Sequence, residues 1–258
     1  MEPGPSITVQ THFVRTRFAL VARAQMSSLF VDHYLHLADL GIQIPGRADS
    51  QLKDLLAAIS LHGAATPRDH TTAWTLSFQH PPLNLFAAVN NREGTIIGRA
   101  FTNDIRASPS QLFYSQVSRP NSDLATSTID FEGDQVFRAV EAFYLRSEQR
   151  LARFFELEDE GMALVVAQPD CDLDWLDQLD ESALRSIDQD EELGHLESRY
   201  YNYTCGCTED RLLRLLAPQA SADIEALFEG DPAIRVSCPR CGATRTLTRA
   251  AMESHLRG

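Results

Sequence analysis

At 258 residues and 43% hydrophobic content, the chain is long enough for one well-buried core with a small appendage, and too apolar for disorder throughout. A net charge of -13 argues against a general affinity for nucleic acid or anionic lipid, because both need a basic surface. No apolar run approaches the roughly 18 to 20 residues of a membrane span, and Met1-Glu2-Pro3-Gly4-Pro5 lacks the basic-then-apolar order of a leader, so a cytoplasmic protein with no membrane partner is expected.

Apolar residues at helical spacing predict a first helix over residues 18–40, stopped by Gly41 and Pro45, and a second over 51–61, ended by Gly63. Trp74, Leu76 and Phe78 then alternate with Thr75, Ser77 and Gln79, the period of a half-buried strand. Strands at 83–89 and 95–101 flank Asn90-Asn91-Arg92-Glu93-Gly94, whose Asn and Gly residues suit a hairpin turn. Further strands fit 111–117, 126–131, 151–157 and 162–167, with a helix over 134–149 that Asp134 caps and whose Val136, Phe137, Val140, Phe143 and Tyr144 face inward. The order of elements is that of an α+β core domain over residues 1–169, with a mixed arrangement of sheet and helices in place of a regular βαβ alternation.

The acidity belongs to one stretch. From Glu156 to Glu197 there are fifteen Asp and Glu against the single Arg185, leaving the rest of the chain nearly neutral. Within it, residues 170–203 carry Leu173, Leu176, Leu179, Leu184, Ile187, Leu193 and Leu196 at helical spacing among carboxylates that repel at i, i+3 and i+4. Such helices depend on docking against something else, so an acidic, helical, conditionally folded linker is expected.

Residues 204–258 read as a separate zinc-binding minidomain. Thr208 and Ser221 each can cap a helix, with acidic residues in its first turn, and residues 234–236 and 244–247 flank Cys238-Pro239-Arg240-Cys241-Gly242 as a knuckle on a short hairpin. Cys205-Gly206-Cys207, thirty residues, then Cys238-x-x-Cys241 supplies four thiolates in two close pairs, the donor set of a tetrahedral zinc ion. A unit this small has little core of its own, so metal binding would supply much of its folding free energy. Four cysteines close the coordination shell, which speaks against a catalytic zinc enzyme. Two readings remain open on the residues alone. One is a constitutive structural-zinc module that binds a protein or RNA partner. The other is a redox switch, because zinc keeps sulfur as thiolate, the form oxidants attack. Seven Arg against seven acidic residues from Cys205 onward give no basic face for nucleic acid.

Three blocks taken together resemble a known family, the bacterial redox-regulated holdase heat-shock protein 33. They are the Cys-x-Cys and Cys-x-x-Cys pairs; Tyr144-Leu145-Arg146-Ser147-Glu148-Gln149 followed by Gly161-Met162-Ala163-Leu164-Val165-Val166; and Pro82-Leu83-Asn84-Leu85 through Asn91 to Gly98-Arg99-Ala100. The resemblance implies an ATP-independent chaperone of the stress response, inactive as a reduced, zinc-bound monomer. Oxidation to the disulfides Cys205–Cys207 and Cys238–Cys241 would release zinc, unfold the linker and yield a homodimer that binds unfolded or oxidatively damaged client proteins. The segment between the core and Cys205 is shorter than the family pattern leads one to expect.

Other chemistry-bearing residues have plainer readings. Cys171 is expected to pack as a small hydrophobe. His33 and His36 share a helix face at i, i+3 without a third ligand, and Glu148 near Tyr144 lacks an orienting partner, so surface and helix-end roles are expected for them. No phosphate-cradling loop or nucleophile elbow occurs.

Overall fold

The computed structural model describes residues 5–103, 105 and 109–257. Met1 to Gly4, on which the leader reading rests, lie outside the described residues, as does Gly258.

Strand β1 (Ile7–Val14), which the sequence pattern did not reveal, turns into β2 (Ala19–Gln25), and only then does α1 (Ser27–Leu40) begin. The helix expected from residue 18 therefore starts nine residues late. A short run such as Ala-Leu-Val-Ala fits either period, and pairing decides it: Ala22 lies between Thr11 of β1 and Leu164 of a later strand, so neighbouring strands satisfy its backbone. Helix α2 (Gly46–Ala64) extends past both expected ends. Gly63 does not stop it; a side chain there would meet Val89 Cγ2 at 2.8 Å, so the glycine permits the close packing of helix on sheet.

The strands β3 (Thr71–Gln79), β4 (Pro82–Asn90), β5 (Thr95–Phe101), β6 (Leu112–Ser118) and β7 (Ala125–Asp130) match the expected pattern. The Asn90 side chain accepts hydrogen bonds from the backbone N–H groups of Arg92 and Glu93, closing the β4–β5 hairpin. Helix α3 (Val136–Arg146) is shorter than expected, and Asp134 is not its cap but pairs with Arg47 at 3.0 Å. Strands β8 (Ala152–Glu156) and β9 (Gly161–Ala167) come next.

Residues 170–203 hold three short helices, α4 (Leu173–Gln178), α5 (Glu181–Arg185) and α6 (Ile187–Asp190), and then an eleven-residue strand, β10 (Leu193–Tyr203). The helical reading thus holds through Ile187 and fails at Leu193 and Leu196. Near its end β10 alternates buried Arg199 and Tyr201 with exposed Tyr200 and Asn202, and its tyrosines favour the extended state. The remaining elements are α7 (Glu209–Ala222), α8 (Ile224–Phe228), β11 (Ala233–Ser237), β12 (Thr244–Thr248) and α9 (Arg249–Arg257). Thr208 caps α7 as expected, whereas Asp223, not Ser221, caps α8. Helix α9 was not expected; the Thr248 hydroxyl accepts from the N–H of Ala251 at its start.

Ten strands form one sheet in the order β7-β6-β3-β4-β5-β10-β1-β2-β9-β8, and β11 and β12 form a second of their own. All neighbours in the large sheet are antiparallel except β10 and β5, which are parallel and register through the two pairs Asn202–Thr95 and Tyr203–Ile96. The fold is α+β.

Alternation along the strands gives the sheet two apolar faces. On one, Leu85, Val89, Ile96, Leu164 and Val166 pack beneath the almost wholly buried α2 and beneath α3, forming the main core. On the other, two separate patches are covered by segments C-terminal to β9. Val21, Phe155, Ala163 and Val165 lie under Leu176, Leu179, Leu184 and Ile187 of α4–α6. Ala88 and Ile97, with half-buried Phe86, lie under Cys205, Cys238 and Cys241. None of the described helices is long and apolar enough to cross a membrane.

Candidate metal centre

The acidic segment reaches the cysteines only after it has been fastened to the sheet. Arg17 pairs with Asp172 at 2.7 Å and with Glu191 at 2.8 Å, Arg23 makes two 2.7 Å bonds to Asp188, and Arg15 meets Glu192. Arg153 Nη1 donates to the carbonyls of Leu176, Asp177 and Leu179, meeting the negative end of α4. From β10 the backbone continues alongside β5 by one more bond, Thr204 N–H to the Ile96 carbonyl at 2.9 Å, which fixes the position of Cys205.

The second cysteine pair arrives from the hairpin β11–β12. Its turn is closed by Cys238 N–H to the Ala243 carbonyl and by Gly242 N–H to the Cys238 carbonyl, at 2.8 and 2.9 Å. Gly242 has φ of 83°, a left-handed conformation, and a side chain on it would strike Ile42 Cδ1 at 2.8 Å. The knuckle is thereby pressed against the core. Two core side chains hold it there: Arg99 Nη1 donates to the Cys238 carbonyl at 2.8 Å, and His36 Nε2 lies 3.4 Å from the Cys241 carbonyl.

The four Sγ atoms of Cys205, Cys207, Cys238 and Cys241 all lie within 4.8 Å of one another. Cys205–Cys238 is 3.6 Å and Cys207–Cys241 is 3.5 Å, close to the ~3.8 Å edge of a tetrahedron with metal–sulfur bonds of about 2.3 Å. Cys205, Cys238 and Cys241 are buried and Cys207 is half-buried; all four thiols are free. The donor set fits a thiophilic metal ion: four sulfurs at tetrahedral spacing, with neither carboxylate nor imidazole among them.

The neighbouring Cys205 thiol, and then His36, hold the Cys241 thiol down, while the Cys241 neighbour, together with burial, drives Cys205 far up. Burial, and then the Cys241 contact, pushes Cys207 up to about 11. Crowded thiols resist ionising together, and a divalent cation among them reverses that penalty.

His33 and His36, expected at the surface, do not lie there. His33 is fully buried and bridges the Tyr203 hydroxyl at 2.9 Å and the Asp49 carboxylate at 3.2 Å. Tyr203 in turn donates to the Gly98 carbonyl, and the His36 ring packs edge-on against it. Arg99, His36 and Tyr203 support the site, a role that no local signal assigned to them, because each acts on a partner more than a hundred residues away in the chain. Cys171 stands apart from the cluster, half-buried beside the second-face core. Glu148 pairs with Arg150, and the Tyr144 hydroxyl bonds to His62 at 2.7 Å, so Glu148 and Tyr144 have different hydrogen-bonding partners.

The family model described as Hsp33 protein matches residues 156–248, which span the acidic segment and all four clustered cysteines. No curated protein matches the chain. Among solved structures, the fold is similar to that of a 33 kDa chaperonin, a heat shock protein 33 homolog from Thermotoga maritima, with a TM-score of 0.72 at 12% identity over 97% of each chain. The likeness to the heat-shock protein 33 family is therefore shown in the sequence of the C-terminal part and in the fold of nearly the whole chain.

Proposed function

We propose that the protein is a redox-switched, ATP-independent holdase chaperone. In this reading Cys205, Cys207, Cys238 and Cys241 bind one zinc ion in the reduced protein, a core of residues 1–169 completed by strand β10 carries the client surface, residues 170–192 are the conditionally docked part of the expected 170–203 linker, and residues 204–258 are the switch. The observation that carries the reading is the covered sheet face: apolar Val21, Phe155, Ala163 and Val165 are shielded by the acidic helices, and Ala88 and Ile97 by the cysteine knuckle. Both covers belong to the region matched by the family model.

Zinc, when bound, holds the four sulfurs as thiolates and closes the minidomain, whose own core is small: Leu212, Leu213, Ala220, Phe228, Leu247 and Met252. With peroxide as oxidant, a cysteine thiolate attacks one peroxide oxygen, forming a sulfenic acid and releasing hydroxide. Its neighbour's thiolate then attacks that sulfur, the S–S bond forms, and a second hydroxide leaves. Two electrons pass from each cysteine pair to one peroxide, which ends as two waters once protons are taken up. We assign the pairs as Cys205–Cys207 and Cys238–Cys241. Sulfur in a disulfide no longer ligates, so the minidomain loses its staple and the covers lift from the sheet. Client proteins in non-native states are the partners, and the oxidised protein dimerises.

Light scattering from a heated client protein tests the reading, with zinc release, thiol count and hydrodynamic size followed on the same samples. The reduced, zinc-loaded protein is expected to leave aggregation unchecked, and the peroxide-treated protein to suppress it after losing four thiols and one zinc. Equal suppression in both states, with zinc retained, would instead favour a constitutive zinc-stapled binding module for a protein or RNA.

A further inference from the structure

The metal centre is assembled from two bodies. Cys205 and Cys207 continue from the large sheet, whereas Cys238 and Cys241 belong to the β11–β12 hairpin, and apart from the sulfurs the hairpin turn is joined to the core by a handful of contacts. The shorter of the two hydrogen bonds described is that of Arg99. Its guanidinium lies over the Phe101 ring, 4.5 Å from the centroid, donates to the Cys238 carbonyl at 2.8 Å, and sits 3.5 Å from the point where a Gly242 side chain would begin. The stacked ring orients the group before the knuckle docks.

Resting on the zinc-switch reading above, we propose that Arg99 is a positioning residue of the metal centre, a core-borne latch that sets how readily the cluster yields its metal. Two effects act in the same direction. The hydrogen bond restrains the backbone of one ligand pair, so that Cys238 and Cys241 move away from Cys205 and Cys207 only when it breaks; bonds from charged donors of this kind are among the stronger ones in proteins. Four thiolates around a divalent cation also leave a net charge of about -2, which a guanidinium beside the knuckle partly offsets, making the sulfurs poorer nucleophiles. Loss of Arg99 removes both restraints. The assigned disulfides lie within each body, so oxidation leaves no cross-link between the knuckle and Cys205–Cys207, and the Arg99 bond is one of the contacts that must break before the knuckle lifts.

The test measures zinc transfer to an excess of a colour-forming chelator without oxidant, and again with peroxide, in zinc-loaded wild type, R99A, R99K and R92A. Arg92 lies exposed in the hairpin turn and serves as the control. R99A is expected to lose zinc about tenfold faster in both assays. R99K, which keeps the charge and one donor, should recover much of the difference, and R92A should match wild type. Amide exchange in residues 237–244 should rise in R99A while β3 and β4 stay protected, showing that the core remains folded. Equal chelator rates for wild type and R99A would overturn the latch, as would an R99A effect that R99K does not reduce. The assay without oxidant reads the latch even if peroxide fails to activate the wild type, an outcome that would count against the chaperone switch alone.

Discussion

Arg23 and Asp188 face each other through two parallel hydrogen bonds of 2.7 Å, one guanidinium nitrogen to each carboxylate oxygen, and so join strand β2 to the last helix of the acidic segment. Burial and neighbouring charges lower the His12 pKa beside this pair, and the ion pair lowers that of Asp188. The geometry turns a run of mutually repelling carboxylates into a docked cover.

That arrangement has a definite pH dependence. Asp172, held down by the backbone N–H of Trp175 and then by Arg17, and Asp188, held down by Arg23, are both more acidic folded than unfolded. Their contribution is therefore complete above the unfolded carboxylate range near pH 4 and is lost as pH falls through their lower folded values. Trp175, with Arg17 5.8 Å from its ring, reports the change. Its fluorescence should stay constant from pH 7 to about 5 and shift to the exposed emission below about pH 4, before the main sheet unfolds.

Removing a buried anchor should undock the cover without oxidant. Leu184 is buried against the second face of the sheet, and Leu184→Ala should cost about 2 to 5 kcal/mol locally. The expected outcome is aggregation suppression by the reduced, zinc-loaded variant, with amide protection lost in 173–190 and kept in β3 and β4. By contrast Arg23→Ala, which removes a partly exposed ion pair, should cost only about 1 kcal/mol and leave the reduced protein inactive. Urea titration monitored at Trp175 separates the two variants.

Cys238→Ser should lower bound zinc from one equivalent to almost none under competing chelator, because one thiolate of a closed four-sulfur shell is lost. The consequence for structure should be confined: circular dichroism is expected to show loss of the C-terminal helices α7–α9 and retention of the sheet. The same spectrum should appear when wild type is stripped of metal under reducing conditions. Retention of the helices in either case would count against metal as the staple.

Full burial holds the His62 imidazole neutral, its pKa lowered to about 3, with Tyr144 as its hydrogen-bond partner. Between the ordinary histidine value near 6.5 and about 3, the unfolded chain binds the extra proton, so folded stability falls as the pH drops through this window. A His62→Gln variant should show a shallower loss of stability from pH 6.5 to 4 than wild type, measured by urea midpoints, together with lower stability at pH 7.

Where neighbours along the chain decide the outcome, the sequence was readable. The Asn90–Gly94 turn, the alternation from Trp74 to Phe78, the Thr208 cap and the spacing of the four cysteines are local signals, and each has its expected place. Where a distant partner decides, it was not. Ala19–Gln25 became a strand because β1 and β9 flank it, Leu193 and Leu196 entered a strand because β1 pairs with it, and His33 was buried by Tyr203 and Asp49. Arg99 shows the same limit at the site, since its partner carbonyl lies 139 residues further on.

The location of β10 in mid-sheet sets how far any opening can go. Within the sheet of the described residues, the strand joins β7-β6-β3-β4-β5 on one side to β1-β2-β9-β8 on the other, and two residue pairs set its register with β5. Were it withdrawn, the sheet would divide along that seam into two slabs with α2, which contacts β3, β4 and β5 as well as β1, β2 and β9, as their splint. A cover that ends before Leu193 can lift and reseat against an intact platform; one that drags β10 with it must rebuild the platform first.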